Sequence, residues 1–363
     1  MSHARPSLLS LGFIAVLFAA VGLWLGGFAV RAETERPAGV ARGGGASAEP
    51  PIRGVVISCQ TWGHEWGSDA MLTALDEVKA LGANWVQIHP YGRIDRAGNV
   101  SFGRMPRDGS TPEWLSRPIR EAHARGLKIA IVPHVAGWGA GWNWRGDIVF
   151  DDPGEWTRFF ASYQTWITTM ARMCRDADGF SVGSELDRTI AGHEAEWRGI
   201  IRTVRAETTA ALTYGANWPD YRAVPFWDAL DAIGISAYFP LVEHGRAPIA
   251  GELDAAWKRL HGELADYARA QNRRVVFMEL GYDASMEAAR EPWVSGPRGA
   301  GADAEAVQTL CLDRALAAAN ADPNLAGLFL WKWFPGEARR ADFRVQSPPM
   351  RAVLGERWAG AGP

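Results

Sequence analysis

Eight short runs of β-branched and other apolar residues, each followed by a longer amphipathic stretch, recur between Ile52 and Trp358 and leave few folds open. The runs lie at 54–59, 84–89, 128–134, 179–184, 212–216, 232–237, 275–279 and 327–331. Helical periodicity fills 68–81, 112–125, 153–175, 191–211, 226–230, 251–271, 302–320 and 347–357. Strands that alternate with crossover helices build a parallel sheet buried on both faces. Eight βα units predict an α/β fold of the (β/α)8 TIM barrel type, because a doubly wound sheet usually stops near five or six strands. No GxGxxG or Walker spacing follows any run, so nothing favours nucleotide binding.

Ahead of this pattern, positions 8–30 carry no charge, which predicts a signal peptide or signal anchor within 1–32. The apolar run exceeds the usual signal core, and Val30-Arg31-Ala32 is a poor cleavage site. Both features favour an anchor that leaves the rest of the chain facing the outside or periplasm; a cleaved leader would make the protein secreted. Residues 33–51, rich in Ala, Gly, Glu and Pro, predict a flexible linker, and the folded domain is expected over 52–358. With 38 basic against 41 acidic residues and no long basic block, an electrostatic grip on nucleic acid is disfavoured. The three Cys have no zinc-like spacing.

In a barrel of this kind the C-terminal strand ends share one rim, so residues just past each run become neighbours. Those exits hold Gln60, Trp62, His64 and Trp66; His89 and Tyr91; His134, Trp138, Trp142, Asn143 and Trp144; Ser184 and Glu185; Asn217 and Trp218; Tyr238; Glu279 and Tyr282; Trp331 and Trp333. Two carboxylates, Glu185 and Glu279, directly follow apolar runs, where a charge is costly unless it is paired or functional. Either one alone is as well explained by a buried ion pair with Arg. Together, on opposed strands and ringed by indoles, they match the carboxyl pair that cleaves glycosidic bonds.

Trp is the unusual component, 18 residues against 14 Phe. Nine fall at or soon after strand exits: Trp62, Trp66, Trp138, Trp142, Trp144, Trp218, Trp293, Trp331 and Trp333. Sugar C–H faces stack on such indoles. About half of the nine are expected to be rim or loop-anchoring residues instead, Trp66 and Trp293 first among them, while Trp156, Trp166, Trp197 and Trp257 are assigned to helix packing. His89 and His134 lack the His-x-His partner of a metal-dependent barrel hydrolase; donation to sugar hydroxyls or support of a carboxylate suits them better. Cys59 reads as an inert thiol.

At Gly183-Ser184-Glu185-Leu186 and Met278-Glu279-Leu280-Gly281-Tyr282, with Tyr238 and Leu330-Trp331-Lys332-Trp333-Phe334-Pro335, the chain resembles the retaining glycoside hydrolases of clan A. Within that clan it is most similar to family 113, the β-mannanase family. The resemblance implies an O-glycosyl hydrolase acting on β-1,4-mannan or glucomannan without metal or cofactor. It implies Glu185 as general acid/base, Glu279 as nucleophile, Tyr238 as a hydrogen-bond partner of the nucleophile and Trp331 as the floor under the sugar. Most of the clan has Asn where this chain has Ser184, which weakens the assignment of the sugar.

On this reading Trp62, His89, His134, Trp138, Ser184, Asn217, Trp218, Tyr238, Tyr282 and Trp331 contact substrate, and the protein is expected to be monomeric. Glu185 is expected in the more apolar setting, protonated, with Glu279 kept ionised by hydrogen bonds. The competing reading is a membrane-tethered, non-catalytic polysaccharide-binding or envelope-assembly protein on the same scaffold.

Overall fold

The alternating pattern becomes, in the computed structural model, a closed parallel barrel; the structure describes residues 50–103, 110–137, 139–243, 245–295, 301–337 and 343–359. The expectations for 8–30, for most of the linker and for Trp138 fall outside these residues. No helix among the described residues is long and apolar enough to cross a membrane. The barrel strands are β1 (Ile52–Ile57), β2 (Trp85–Ile88), β3 (Lys128–Ile131), β4 (Gly179–Ser184), β5 (Ala211–Asn217), β6 (Ala232–Ser236), β7 (Arg274–Leu280) and β8 (Leu325–Trp333). Each pairs with its sequence neighbour, and β8 closes on β1 with Ile52 opposite Gly327 and Ile57 opposite Trp333. The fold is a (β/α)8 barrel.

Side chains that point inward make their own small core of Val56, Ala130, Val132, Val276, Met278 and Phe329. Their outward neighbours, such as Val55, Ile57 and Ile129, join the larger core under the helices. Those helices are α1 (Asp69–Ala80), α2 (Glu113–Ala124), α3 (Pro153–Met173), α4 (Glu194–Arg205), α5 (Ala250–Gln271), α6 (Ala302–Ala321) and α7 (Pro348–Ala359). In α1 the buried positions are Met71, Ala74, Leu75 and Val78, and in α4 Trp197, Ile200, Ile201 and Val204. That spacing makes one apolar stripe per helix. At the start of α3, Asp152 accepts from the Gly154 amide at 2.8 Å and Pro153 occupies the first turn.

Two expectations are corrected. The helix predicted at 226–230 is absent: β5 and β6 are joined by the 3-10 turns Tyr221–Ala223 and Trp227–Ala229. That connection is short and carries Pro219 and Pro225, which remove backbone donors. The run predicted at 128–134 splits at Pro133. Beyond it His134–Ala136 leaves the barrel to pair with Tyr91–Ile94, itself released from β2 by Pro90. Val100–Phe102 completes this small sheet on the rim.

The opposite end of the barrel is tied by polar side chains that precede even-numbered strands. Asn84 accepts from the Arg53 amide at 2.7 Å, Asp178 from Ile129 at 2.8 Å and Asp231 from Leu212 at 2.7 Å. Each satisfies a strand-start donor on the preceding strand that would otherwise lack a partner.

Closure depends on Gly327, whose φ of 133° and whose place against β1 exclude a side chain. A Cβ there would lie 2.2 Å from the Ile52 carbonyl oxygen. Gly327→Ala should therefore destabilise the fold by about 2–4 kcal/mol. Chemical denaturation checks this, and a midpoint equal to that of the wild type would show that β1 yields freely.

Candidate active site

Glu185 and Glu279 arrive at the rim by local departures from strand geometry. β4 and β5 slip register between Ser181 and Ser184, and Glu185 then takes a left-handed φ of 49° while its amide donates to the Gly215 carbonyl at 2.7 Å. The Tyr214 hydroxyl receives the next amide, from Leu186, at 2.8 Å. In β7 the register against β6 shifts between Phe277 and Glu279. Simple alternation would turn Glu279 away from inward-facing Met278, and a bulge is the device that re-aims a side chain. Both carboxylates are nearly enclosed, Glu185 at 7% and Glu279 at 4% exposure.

One loop, between β3 and α3, supplies the partners of Glu185. The Trp144 indole N–H donates to its Oε2 at 3.0 Å, and the Arg145 guanidinium lies 3.4 Å from the same oxygen. On the other carboxylate, the Tyr238 hydroxyl donates to Glu279 Oε2 at 2.8 Å, and His134 Nε2 stands 3.7 Å from Oε1. Burial and the Glu279 charge hold the Tyr238 hydroxyl protonated well above its usual range, so it stays a donor. Despite its burial, Arg145 is held above its ordinary pKa by both Glu185 and Glu279. It is the cation shared by the pair.

Burial, then the charge of Glu185, pushes the Glu279 carboxyl up to about 8, against Arg145, the Tyr238 hydrogen bond and Lys332. This corrects the expected division. Burial and the neighbouring carboxylate press Glu279 towards its protonated form instead of keeping it ionised, while Trp144 and Arg145 attend Glu185. Two coupled carboxyls hold such a proton jointly. A third acid lies beside them: burial and the charge of Glu185 raise Asp187 to about 7, while Asn217 hydrogen-bonds it.

Burial takes His89 down to about 3, with Lys332 and Arg145 acting the same way, and takes His134 well below its usual value. Both rings are neutral. They stack at 5.0 Å, His89 bonds Ser58 at 2.9 Å, and Trp331 lies 5.1 Å from His89 and 6.4 Å from His134. Of the two roles weighed for His134, support of a carboxylate is the one its position fits. Half-buried Trp331 caps the histidines.

Other predicted residues scatter. Ser184 is buried at the end of β4 opposite Gly215. Asn217 engages Asp187 and accepts from the Trp218 amide at 2.9 Å. Trp62 has Arg93 over one face at 4.4 Å and Tyr91 at its edge. Tyr282 is corrected: its ring is buried in the outer core beside Cys311 and Trp257 and does not reach the cleft. Trp66 is buried with its N–H on the Ile57 carbonyl, as expected of an anchor, and Trp166, Trp197 and Trp257 are buried in packing. Trp293, expected as a rim or loop-anchoring residue, is exposed on the loop after β7. Cys59, Cys174 and Cys311 are free thiols, each raised to about 12 chiefly by burial. Sequence reasoning passed over Arg145 and Asp187. Their signals were a lone Arg at the end of an indole-rich loop and a second acid two positions after Glu185.

The sequence profile of Glycoside Hydrolase Family 113 matches residues 58–344. This chain belongs to glycoside hydrolase family 113. As a member of that family it is a glycoside hydrolase. No curated protein matches it. Among solved structures, the family 113 β-mannanase AaManA from Alicyclobacillus acidocaldarius, in complex with ManMIm, superposes with a TM-score of 0.73 at 25% identity. That match covers 88% of this chain and all of the other. A second family 113 β-1,4-mannanase superposes equally well at 21% identity, over 86% of this chain and all of its own. A Ruminococcus gnavus β-glucuronidase shares the fold at 13% identity, with a TM-score of 0.55 over 85% of this chain and half of the other.

The raised pKa of Glu279 has a consequence for stability. Between the ordinary carboxyl value of 4.5 and about 8 the folded chain binds a proton that the unfolded chain has released, so stability falls as pH rises through that window. Glu279→Gln should raise Tm relative to wild type, little below pH 4.5 and increasingly towards pH 8. Thermal melts across this range test it, and a Tm difference independent of pH would refute the assignment.

Proposed function

We propose that this family 113 enzyme hydrolyses β-1,4-mannan or glucomannan with retention of configuration, with Glu279 as nucleophile and Glu185 as general acid/base. The observation that carries the reading is the pair itself: two enclosed glutamates at the ends of β4 and β7, coupled in charge, with Arg145 3.4 Å from Glu185 and acting electrostatically on both. The likeness to the β-mannanase AaManA supports the choice of mannan. The uncharged run at 8–30 supports action on a polymer outside the cytoplasm.

In the catalytic arrangement Glu185 carries the proton and Glu279 is ionised. As the glycosidic bond breaks, positive charge grows at the anomeric carbon beside Glu279 and favours its ionised form, while the leaving oxygen takes the proton of Glu185. An oxygen of Glu279 bonds to the anomeric carbon, with the Tyr238 hydroxyl holding the carboxylate and Trp331 beneath the sugar. Glu185, now ionised and beside Trp144 and Arg145, then accepts a proton from water. That water attacks the anomeric carbon and releases Glu279. Two inversions give net retention.

Glu185→Gln and Glu279→Gln should each lower kcat on mannan by about 10²–10⁴-fold. The two variants differ on a dinitrophenyl glycoside, whose leaving group needs no proton: Glu185→Gln keeps the release burst and Glu279→Gln loses it. NMR of the first product formed should show the β-anomer. Near-native activity of either variant, or initial α-product, would defeat the assignment.

A further inference from the structure

Two aromatic side chains among the described residues are exposed, Trp144 at 37% and Trp293 at 45%, and both stand on rim loops. Trp144 already contacts Glu185. Trp293 lies in the loop after β7 and stacks on Trp218 with ring centres 5.6 Å apart and planes 25° from parallel. Trp218 in turn meets the edge of Phe239 at 6.0 Å, and Asn217 receives its amide. Loops after β5, β6 and β7 thus contribute one residue each to a single aromatic stack. A stack that only anchored loops would bury both indoles, since exposed indole forgoes the gain of burial. Here the outer ring remains nearly half open.

We propose that the Trp218–Trp293 stack is a platform for a pyranose ring on the leaving-group side of the cleft, beyond the bond cleaved at Glu185. This deepens the reading of the chain as a β-mannan hydrolase and rests on it. Position decides the side. The floor residue Trp331 with His89, Tyr91 and Trp62 occupies the arc from β8 through β1 to β2, where the sugar attacked by Glu279 sits. The stack belongs to the facing arc, β5 to β7. It is linked to the acid/base through Asn217 and Asp187, the latter two residues past Glu185. A polymer that lies on Trp331 and passes Glu185 runs towards it. The braced indoles offer a flat apolar face at little entropic cost, and sugar C–H bonds are its complement.

The test compares wild type, Trp293→Ala and Trp293→Tyr on β-1,4-mannotriose and β-1,4-mannohexaose, with product lengths recorded. For Trp293→Ala, kcat/KM on the hexasaccharide should fall about 10-fold, mostly through KM, with a smaller loss on the trisaccharide. Its cleavage sites should shift towards the reducing end, because the departing segment has lost a contact. Trp293→Tyr should recover most of the loss. No loss on the hexasaccharide, or an equal loss at both lengths, overturns the platform. A wild-type chain that leaves mannan oligomers intact defeats the substrate assignment alone; the same length comparison with whichever β-linked oligosaccharide it does cleave then decides the platform.

Discussion

Two carboxyls held out of water at one end of a barrel set the terms for the rest of this structure. At the spacing a retaining pair needs, about 5 Å, two unit charges repel by about 3 kcal/mol at an effective dielectric near 20, and desolvation adds to the cost. Arg145 is placed to offset much of this, since its guanidinium acts on Glu185 and Glu279 together. Trp144 and Tyr238 each supply one neutral donor, and neutral His134 adds no charge. One shared cation and two neutral donors let both carboxyls persist in a nearly closed site.

The placement of those groups follows from interruptions in regular structure. Pro90 and Pro133 stop β2 and β3 from running further, and the freed segments pair with each other, His134 N–H to the Pro90 carbonyl at 2.8 Å. His134 is thereby held against Glu279 instead of continuing along β3. The register shifts in β4 and β7 act on the carboxylates themselves, and the left-handed turn at Glu185 directs its side chain to Trp144 and Arg145. Each departure is local, and each lies at the C-terminal end of a strand.

What was legible in the sequence and what was not divides along the same line. Barrel strands show as continuous apolar runs because both faces are buried, and the two glutamates show because each ends such a run. Arg145 was hidden because its partners are some 40 and 134 positions away (residues 185 and 279), with no local pattern to mark them. Tyr282 misled because position past a strand does not fix direction: its ring turned outward under α6, where Gln308 donates to its carbonyl at 2.8 Å. The pairing of Trp293 with Trp218 was not legible, since the two come from different loops. The protonation expectation failed for a related reason. Which carboxyl is more enclosed is a property of packing around the pair, and no spacing in the chain encodes it.

Stability and chemistry are separated along the barrel axis. At the N-terminal end, Asn84, Asp178 and Asp231 each accept a strand-start amide, and His123 adds a contact to Asp178 at 2.9 Å. The interior between is filled by Phe329, Met278 and small or branched side chains, with Phe329 packed over Gly54. The opposite rim holds left-handed Glu185, the register shifts that place Glu185 and Glu279, the coupled acids and the open indoles. Strain and unpaired charge persist only where surrounding structure overdetermines them, and in this fold the closed strands beneath provide that constraint.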